Sequence, residues 1–220
     1  MTLADGRTVE YSMLGARGGA LAARISAELD GAVAAVSAFW GADWPRDVDI
    51  VLTGTEAQFA ALGRGGPDIA ATTTAERIVF APGAADTSDD ALRVVVRHEL
   101  FHYAARSATA ADAPQWLTEG VADYVGRPAT PRPGPARAAE LAVLPTDADL
   151  GTPGAARSLA YDRAWWFSRF VADRYGPATL RTLYLAACGT GHTDADAAIR
   201  SVLGEPTDRV LTAWRAWLAG

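Results

Sequence analysis

Val95-Val96-Arg97-His98-Glu99-Leu100-Phe101-His102-Tyr103-Ala104 (VVRHELFHYA, residues 95–104) is the stretch that decides how this chain reads. It contains H-E-x-x-H, and neither proline nor glycine interrupts it, so a helical period applies. His98 and His102 are i and i+4, one above the other on a single helix face. That spacing suits two imidazoles gripping one zinc ion, with Glu99 beside them as general base. Leu100 and Phe101 are apolar, which predicts a largely buried helix, and a buried histidine pair needs something to hold. Two satisfied core histidines on an ordinary helix are the plain alternative. The chain has only three histidines, and the third is His192.

Working outward, the helix is expected to open near Thr87-Ser88-Asp89-Asp90, capped by Thr87, with the acidic residues at its positive end. It should run to about Ala105. A second helix, Trp116 to Val125, follows Asp112-Ala113-Pro114-Gln115, where Asp at the cap and Gln three residues on approximate a capping box. This helix carries Glu119. Sixteen residues (103–118) separate it from His102, enough for a turn and a return. A catalytic zinc site has three protein ligands and an open position for water, and Glu119 is the candidate third ligand. Asp123 is i+4 from Glu119 and could accept the N–H of a ligand histidine, fixing its tautomer. The alternative is an acidic face that merely solubilises the helix. Gly120 costs about 1 kcal/mol inside a helix, which close approach to a neighbouring helix would explain. Trp116, Leu117, Val121, Tyr124 and Val125 read as core.

Before the motif the pattern is mixed. Short strands are predicted at Arg7–Met13, Asp47–Thr53, Ala70–Thr74 and Arg77–Ala81, the last two as a hairpin across Ala75-Glu76. Leu21, Ile25, Leu29, Val33 and Val36 give Gly19–Trp40 a helical stripe. Glu56–Leu62 reads as a short helix, and Gly65-Gly66-Pro67 as a chain break. After the second helix, Arg127–Pro135 is a proline-rich loop, Ala136–Val143 a short helix and Pro145–Gly154 another loop. Helices are then predicted at Leu159–Tyr175, Pro177–Cys188, Asp194–Leu203 and Thr207–Ala219, with Gly176-Pro177 as a stop-and-restart signal.

Composition narrows the function. Half of the 220 residues are apolar, enough for a sizeable core. The net charge of −6 argues against nucleic acid or anionic membrane as a main partner. Every cation is arginine. With no lysine, Schiff-base catalysis and a Walker-type phosphate loop are excluded. Cys188 has no partner for an internal disulfide and reads as a small buried thiol. No uncharged apolar run reaches the roughly 18 residues of a membrane span. The opening Met1-Thr2-Leu3-Ala4-Asp5 lacks signal-peptide character. The expected setting is either the cytoplasm or the soluble part of an exported or anchored protein.

VVRHELFHYA followed by PQWLTEGVADYVG (114–126) resembles the gluzincin metallopeptidases, and more narrowly the bacterial peptidase-MA-like group. The likeness covers residues 90–126 and continues more faintly through YDRAWWFSRFVADRYG (161–176) and the last helix, with Trp214 and Trp217. It implies an α+β, zincin-like fold: one metallopeptidase-like domain spanning 1–220. An α/β lobe (1–105) with a small mixed sheet would carry the H-E-x-x-H helix, and a helical lobe (106–220) the third ligand. It implies Zn2+ held by His98, His102 and Glu119, with Glu99 as general base on a zinc-bound water, hydrolysing peptide bonds of a peptide or protein substrate. A strand at 70–74 or 77–81 would then lie above the active-site helix, where it could pair with an extended substrate; both are equally readable as plain sheet strands. Tyr161, at a helix start after a Gly/Pro-rich loop, occupies a region where gluzincins place a tyrosine that stabilises the oxyanion. A packed aromatic is the alternative, and His192 in Gly189–Thr193 is a rival donor. No G-x-M-E-N-like motif is present to anchor a substrate amine, which favours an endopeptidase. The competing functional class is a catalytically silent relative serving as a binding or scaffold module.

Overall fold

The computed structural model describes residues 1–63, 66 and 68–220. Gly65 and Pro67 of the expected chain break lie outside the described residues. The fold is α+β, and the chain divides into two compact units, Met1–Arg106 and Ser107–Gly220.

The first unit is built on a four-stranded mixed sheet. Its strands are β1 (Thr8–Met13), β2 (Asp47–Leu52), β3 (Ala71–Thr73) and β4 (Ile78–Phe80), in the order β1-β2-β4-β3. β1 and β4 flank β2 in parallel, and β3 closes the far edge antiparallel to β4, with Ala71 opposite Phe80 and Thr73 opposite Ile78. The expected hairpin forms, but with strands shorter than the sequence pattern suggests. Thr74 takes over the turn: its N–H donates to the Arg77 carbonyl at 2.8 Å, and its Oγ1 accepts from the Glu76 and Arg77 N–H groups.

Two long helices pack on one another in this unit: α1 (Gly18–Trp40) and α3 (Asp89–Ala105). The stripe Leu21, Ile25, Leu29, Val33 and Val36 is fully buried. On α3, Phe101 sits against Phe39 and Trp40, with ring centroids 6.0 and 5.6 Å away. Burying a side chain of that size contributes about 1.5–3 kcal/mol. Polar ties add direction. Arg93 of α3 pairs with Glu28 of α1 at 2.8 Å, and the Tyr103 hydroxyl donates to the Asp47 carbonyl at 2.7 Å. The cap of α3 is Ser88, whose Oγ accepts from the Ala91 N–H at 3.2 Å. Thr87, the expected cap, instead donates its hydroxyl to the Ala84 carbonyl. The capping geometry needs acceptor and amide three residues apart, and the first turn of α3 begins at Asp89, one residue later than a Thr87 cap requires. A short helix α2 (Glu56–Gly63) covers the opposite face of β3 and β4, with Phe59 against Val51, Val79 and Ala81.

Arg7 is the one charged side chain buried at the start of β1, 2% exposed. It is matched rather than isolated. It pairs with Asp5, donates to the Ala42, Trp44 and Pro45 carbonyls, and lies 3.4 Å over the Trp44 ring.

The second unit is helical: α4 (Gln115–Gly126), α5 (Pro135–Leu141), α6 (Asp147–Gly151), α7 (Ala155–Tyr175), α8 (Pro177–Cys188), α9 (Ala195–Leu203) and α10 (Thr207–Ala219). α7 ends at Gly176 (φ 96°) and Pro177 opens α8. α4 and α7 make the most extensive helix contact of this unit. Gly120 is the reason they can: a Cβ there would fall 2.6 Å from the Ala164 carbonyl oxygen and 2.9 Å from Ser168 Oγ. An aromatic column, Trp116–Phe167–Trp214, with Trp217 against Trp166 and Phe170, ties α4, α7 and α10 together at centroid spacings of 5.2–5.9 Å.

The Asp112 cap does not form; Pro114 occupies the cap position without a side-chain bond. The loop expected at Pro145–Gly154 contains α6, opened by a reciprocal capping box between Thr146 and Asp149. α7 starts at Ala155, four residues before Leu159, because positive-φ Gly154 turns the chain into the helix. Among the described residues, no helix is long and apolar enough to cross a membrane.

Candidate metal centre

α3 places His98 and His102 one turn apart on one face, as i and i+4 residues must be. Their Nε2 atoms stand 3.1 Å apart, with ring centroids at 4.7 Å and planes inclined by 70°. Two nitrogens bonded at about 2.05 Å to one tetrahedral ion stand roughly 3.3 Å apart. The observed pair is therefore already near the separation a shared ion requires. Glu119 lies on α4, in its second turn. One ligand atom from each of His98, His102 and Glu119 lies within 4.8 Å of the other two, and all three residues are partly buried. The group is close enough to hold a metal ion, and a set of two imidazoles and one carboxylate fits that task.

Glu99, between the histidines in sequence, is buried, 6% exposed. Its carboxylate meets β3: Thr73 Oγ1 lies 2.7 Å from Glu99 Oε2 and 3.0 Å from the Glu99 carbonyl oxygen. Strand alternation produces this contact. Thr72 turns the other way and donates to the Gly63 carbonyl of α2 at 2.8 Å, so Thr73 must face α3. The sequence alone distinguishes no threonine here. The run Thr72-Thr73-Thr74 was the available signal, but period 2 alone does not say which of its members faces which helix.

Of α4, Trp116, Leu117, Val121 and Val125 are buried and Tyr124 is half-buried. Asp123 is buried, and its Oδ2 lies 2.6 Å from Arg127 Nη2, four residues on. Arg127 also reaches Asp162 of α7 at 2.9 Å. That ion pair across the end of α4 was not expected from the sequence, although its i,i+4 spacing is legible there. Tyr161 lies in the second turn of α7 and is half-buried. His192 belongs to the loop between α8 and α9. Its Nδ1 lies 2.9 Å from the Thr193 carbonyl and its Nε2 3.4 Å from Asp112 Oδ1. The carbonyl contact is the main influence raising its pKa; burial opposes it and Asp112 adds to it.

Tyr184, on α8, is fully buried and was not singled out by sequence. Burial holds its hydroxyl well above the usual 10. A 2.7 Å hydrogen bond with Thr109 offsets part of this, while Cys188 and the negative charge of Glu119 add to it. It remains a neutral phenol in the neighbourhood of the carboxylate.

No model of a known protein family matches the chain, and no curated protein matches it in sequence. The functional reading therefore rests on the residues themselves.

Proposed function

We propose that the chain is a zinc-dependent peptidase of gluzincin type with a zincin-like arrangement, related to the bacterial peptidase-MA-like group, and an endopeptidase acting on peptide or protein substrates. The observation that carries this reading is the convergence of His98, His102 and Glu119 around an H-E-x-x-H helix. Partial burial of all three donors supports a reactive rather than a sealed site, since a catalytic ion keeps a position open. The imidazole–carboxylate set suits zinc, and the H-E-x-x-H spacing favours it among the metals that imidazole accepts.

When bound, the ion supplies Lewis acidity, lowering a water's pKa towards about 7 and polarising a carbonyl. The chain's own residues supply the proton chemistry. Glu99 takes a proton from water as the water oxygen bonds to the carbonyl carbon, and returns it to the leaving nitrogen as the C–N bond breaks. A carboxylic acid and an amine result. In this scheme Tyr161 donates a hydrogen bond to the developing oxyanion. Asp123 orients a ligand imidazole by accepting its second N–H.

The test joins metal analysis to hydrolysis of a diverse peptide library. The purified chain should carry about one zinc and lose both metal and turnover to a chelator. Glu99→Gln should keep the zinc and lose turnover, and His102→Ala should lose the zinc. A chain without metal would refute the site. Zinc binding without turnover would instead favour a silent binding module, and full activity in Glu99→Gln would remove Glu99 as the base.

A further inference from the structure

We infer that Thr73 is a positioning residue for Glu99: its hydroxyl holds carboxylate oxygen Oε2, so that Oε1 is the oxygen presented for proton transfer. The inference rests on the hydrolase reading above and assigns a part of that machinery to the sheet edge. A carboxylate on a freely rotating side chain offers either oxygen in many orientations. Glu99 is not free in this way. It is buried, and a hydroxyl from a different element lies 2.7 Å from one of its two oxygens. The acceptor is charged when Glu99 acts as base, which makes this the stronger of the two bonds within reach of Thr73. The second acceptor, the Glu99 carbonyl at 3.0 Å, fixes Thr73 over the residue whose side chain it holds.

The support behind Thr73 is itself rigid. β3 is short, but its ladder to β4 pins Thr73 opposite Ile78, and the next residue, Thr74, closes the turn through its own side chain. Thr72 anchors the preceding position on α2. The three threonines therefore do three different things, and only the middle one touches the proposed base. A side chain that holds a general base without touching substrate should act on turnover and not on substrate binding. Misplacing a reacting group by about 1 Å can cost about 100-fold in rate.

The experiment compares Thr73→Val, which keeps the shape and loses the hydroxyl, with Thr73→Ser, which keeps the hydroxyl. In the zinc-loaded chain Thr73→Val should lower kcat by about 10-fold to 100-fold. KM and zinc content should stay as in wild type, the melting temperature should fall by a few degrees because a buried carboxylate loses a donor, and Thr73→Ser should restore most of kcat. A second readout needs no turnover. In the metal-free chain, the infrared carboxylate difference between wild type and Thr73→Val should be present, and should vanish when both carry Glu99→Gln. A wild-type kcat in Thr73→Val, or an infrared difference that survives Glu99→Gln, would overturn the inference and leave the hydrolase reading standing. If wild type itself shows no chelator-sensitive turnover, that reading fails and the catalytic role of Thr73 fails with it, whatever the infrared spectra show.

Discussion

Gly120→Ala sets two effects against each other, and the structure decides between them. Alanine is the better helix former, by about 1 kcal/mol in a helix interior. On that count the substitution should stabilise α4. However, its Cβ would lie 2.6 Å from the Ala164 carbonyl oxygen, 2.8 Å from the carbonyl carbon and 2.9 Å from Ser168 Oγ. Two of those atoms are backbone of α7. The oxygen also accepts from Ser168 Oγ at 3.0 Å, so it has no easy way to move aside. Reaching ordinary contact near 3.4 Å requires the two helices to separate by about 0.8 Å. Overpacking of this kind costs about 1–3 kcal/mol, and clashes with backbone belong at the upper end. Subtracting the propensity gain leaves about 2 kcal/mol of net destabilisation. For a chain of this size that lowers the melting temperature by about 4–8 °C, measurable by circular dichroism or calorimetry. Glu119 is the preceding residue, and metal–ligand distances tolerate only about 0.2 Å. Zinc affinity should therefore fall as well. A variant melting at or above wild type would refute the close approach of α4 and α7, because propensity alone would then be deciding the outcome.

Three further outcomes are expected. Tyr161→Phe should lower kcat by about 10²–10³-fold, the usual loss for one oxyanion donor, with zinc content unchanged; an unaltered kcat would assign Tyr161 to packing. Burial, helped by the negative charge of Asp147, pushes the Cys188 thiol up to about 12, so a disulfide-type thiol reagent at pH near 8 should label it only after denaturation. Rapid labelling of the native chain would contradict its burial. The raised pKa of His192 means the folded state favours its protonated form. The associated stabilisation is fully present below its ordinary value of 6.5 and is lost as pH rises through the folded-state value. Its NMR titration should have a midpoint above 6.5, moving down in Asp112→Asn; a midpoint at or below 6.5 would refute the contact with Asp112 and Thr193.

What could be read from sequence was mostly what local periodicity controls. The α1 stripe, the helix bearing His98 and His102, and the stop at Gly176-Pro177 depend on residues a turn or two apart, and all three form. The small glycine in α4 announced a close approach, though only the fold names Ala164 and Ser168 as the neighbours. Precise ends were less legible: Ser88 caps α3 where Thr87 was equally suitable chemically, because one residue of register separates them. α6 was hidden because five residues are too few to show a period, and the reciprocal capping of Thr146 and Asp149 is seen only in the structure. The contact of Thr73 with Glu99 was beyond reach in kind. It joins residues 26 apart in sequence and depends on which face of a three-residue strand meets α3, which only the assembled sheet determines.

The aromatic column along α7 has a practical consequence for spectroscopy. Trp116, Trp165, Trp166, Trp214 and Trp217 all belong to the helical unit, leaving only Trp40 and Trp44 in the other. Intrinsic emission will thus be dominated by one half of the chain, with Trp165 and Trp166 near enough, at 4.6 Å, for their excited states to couple. Light from this protein is a built-in reporter of the helices around Glu119. Loss of the sheet that carries Thr73 would pass with little change in colour.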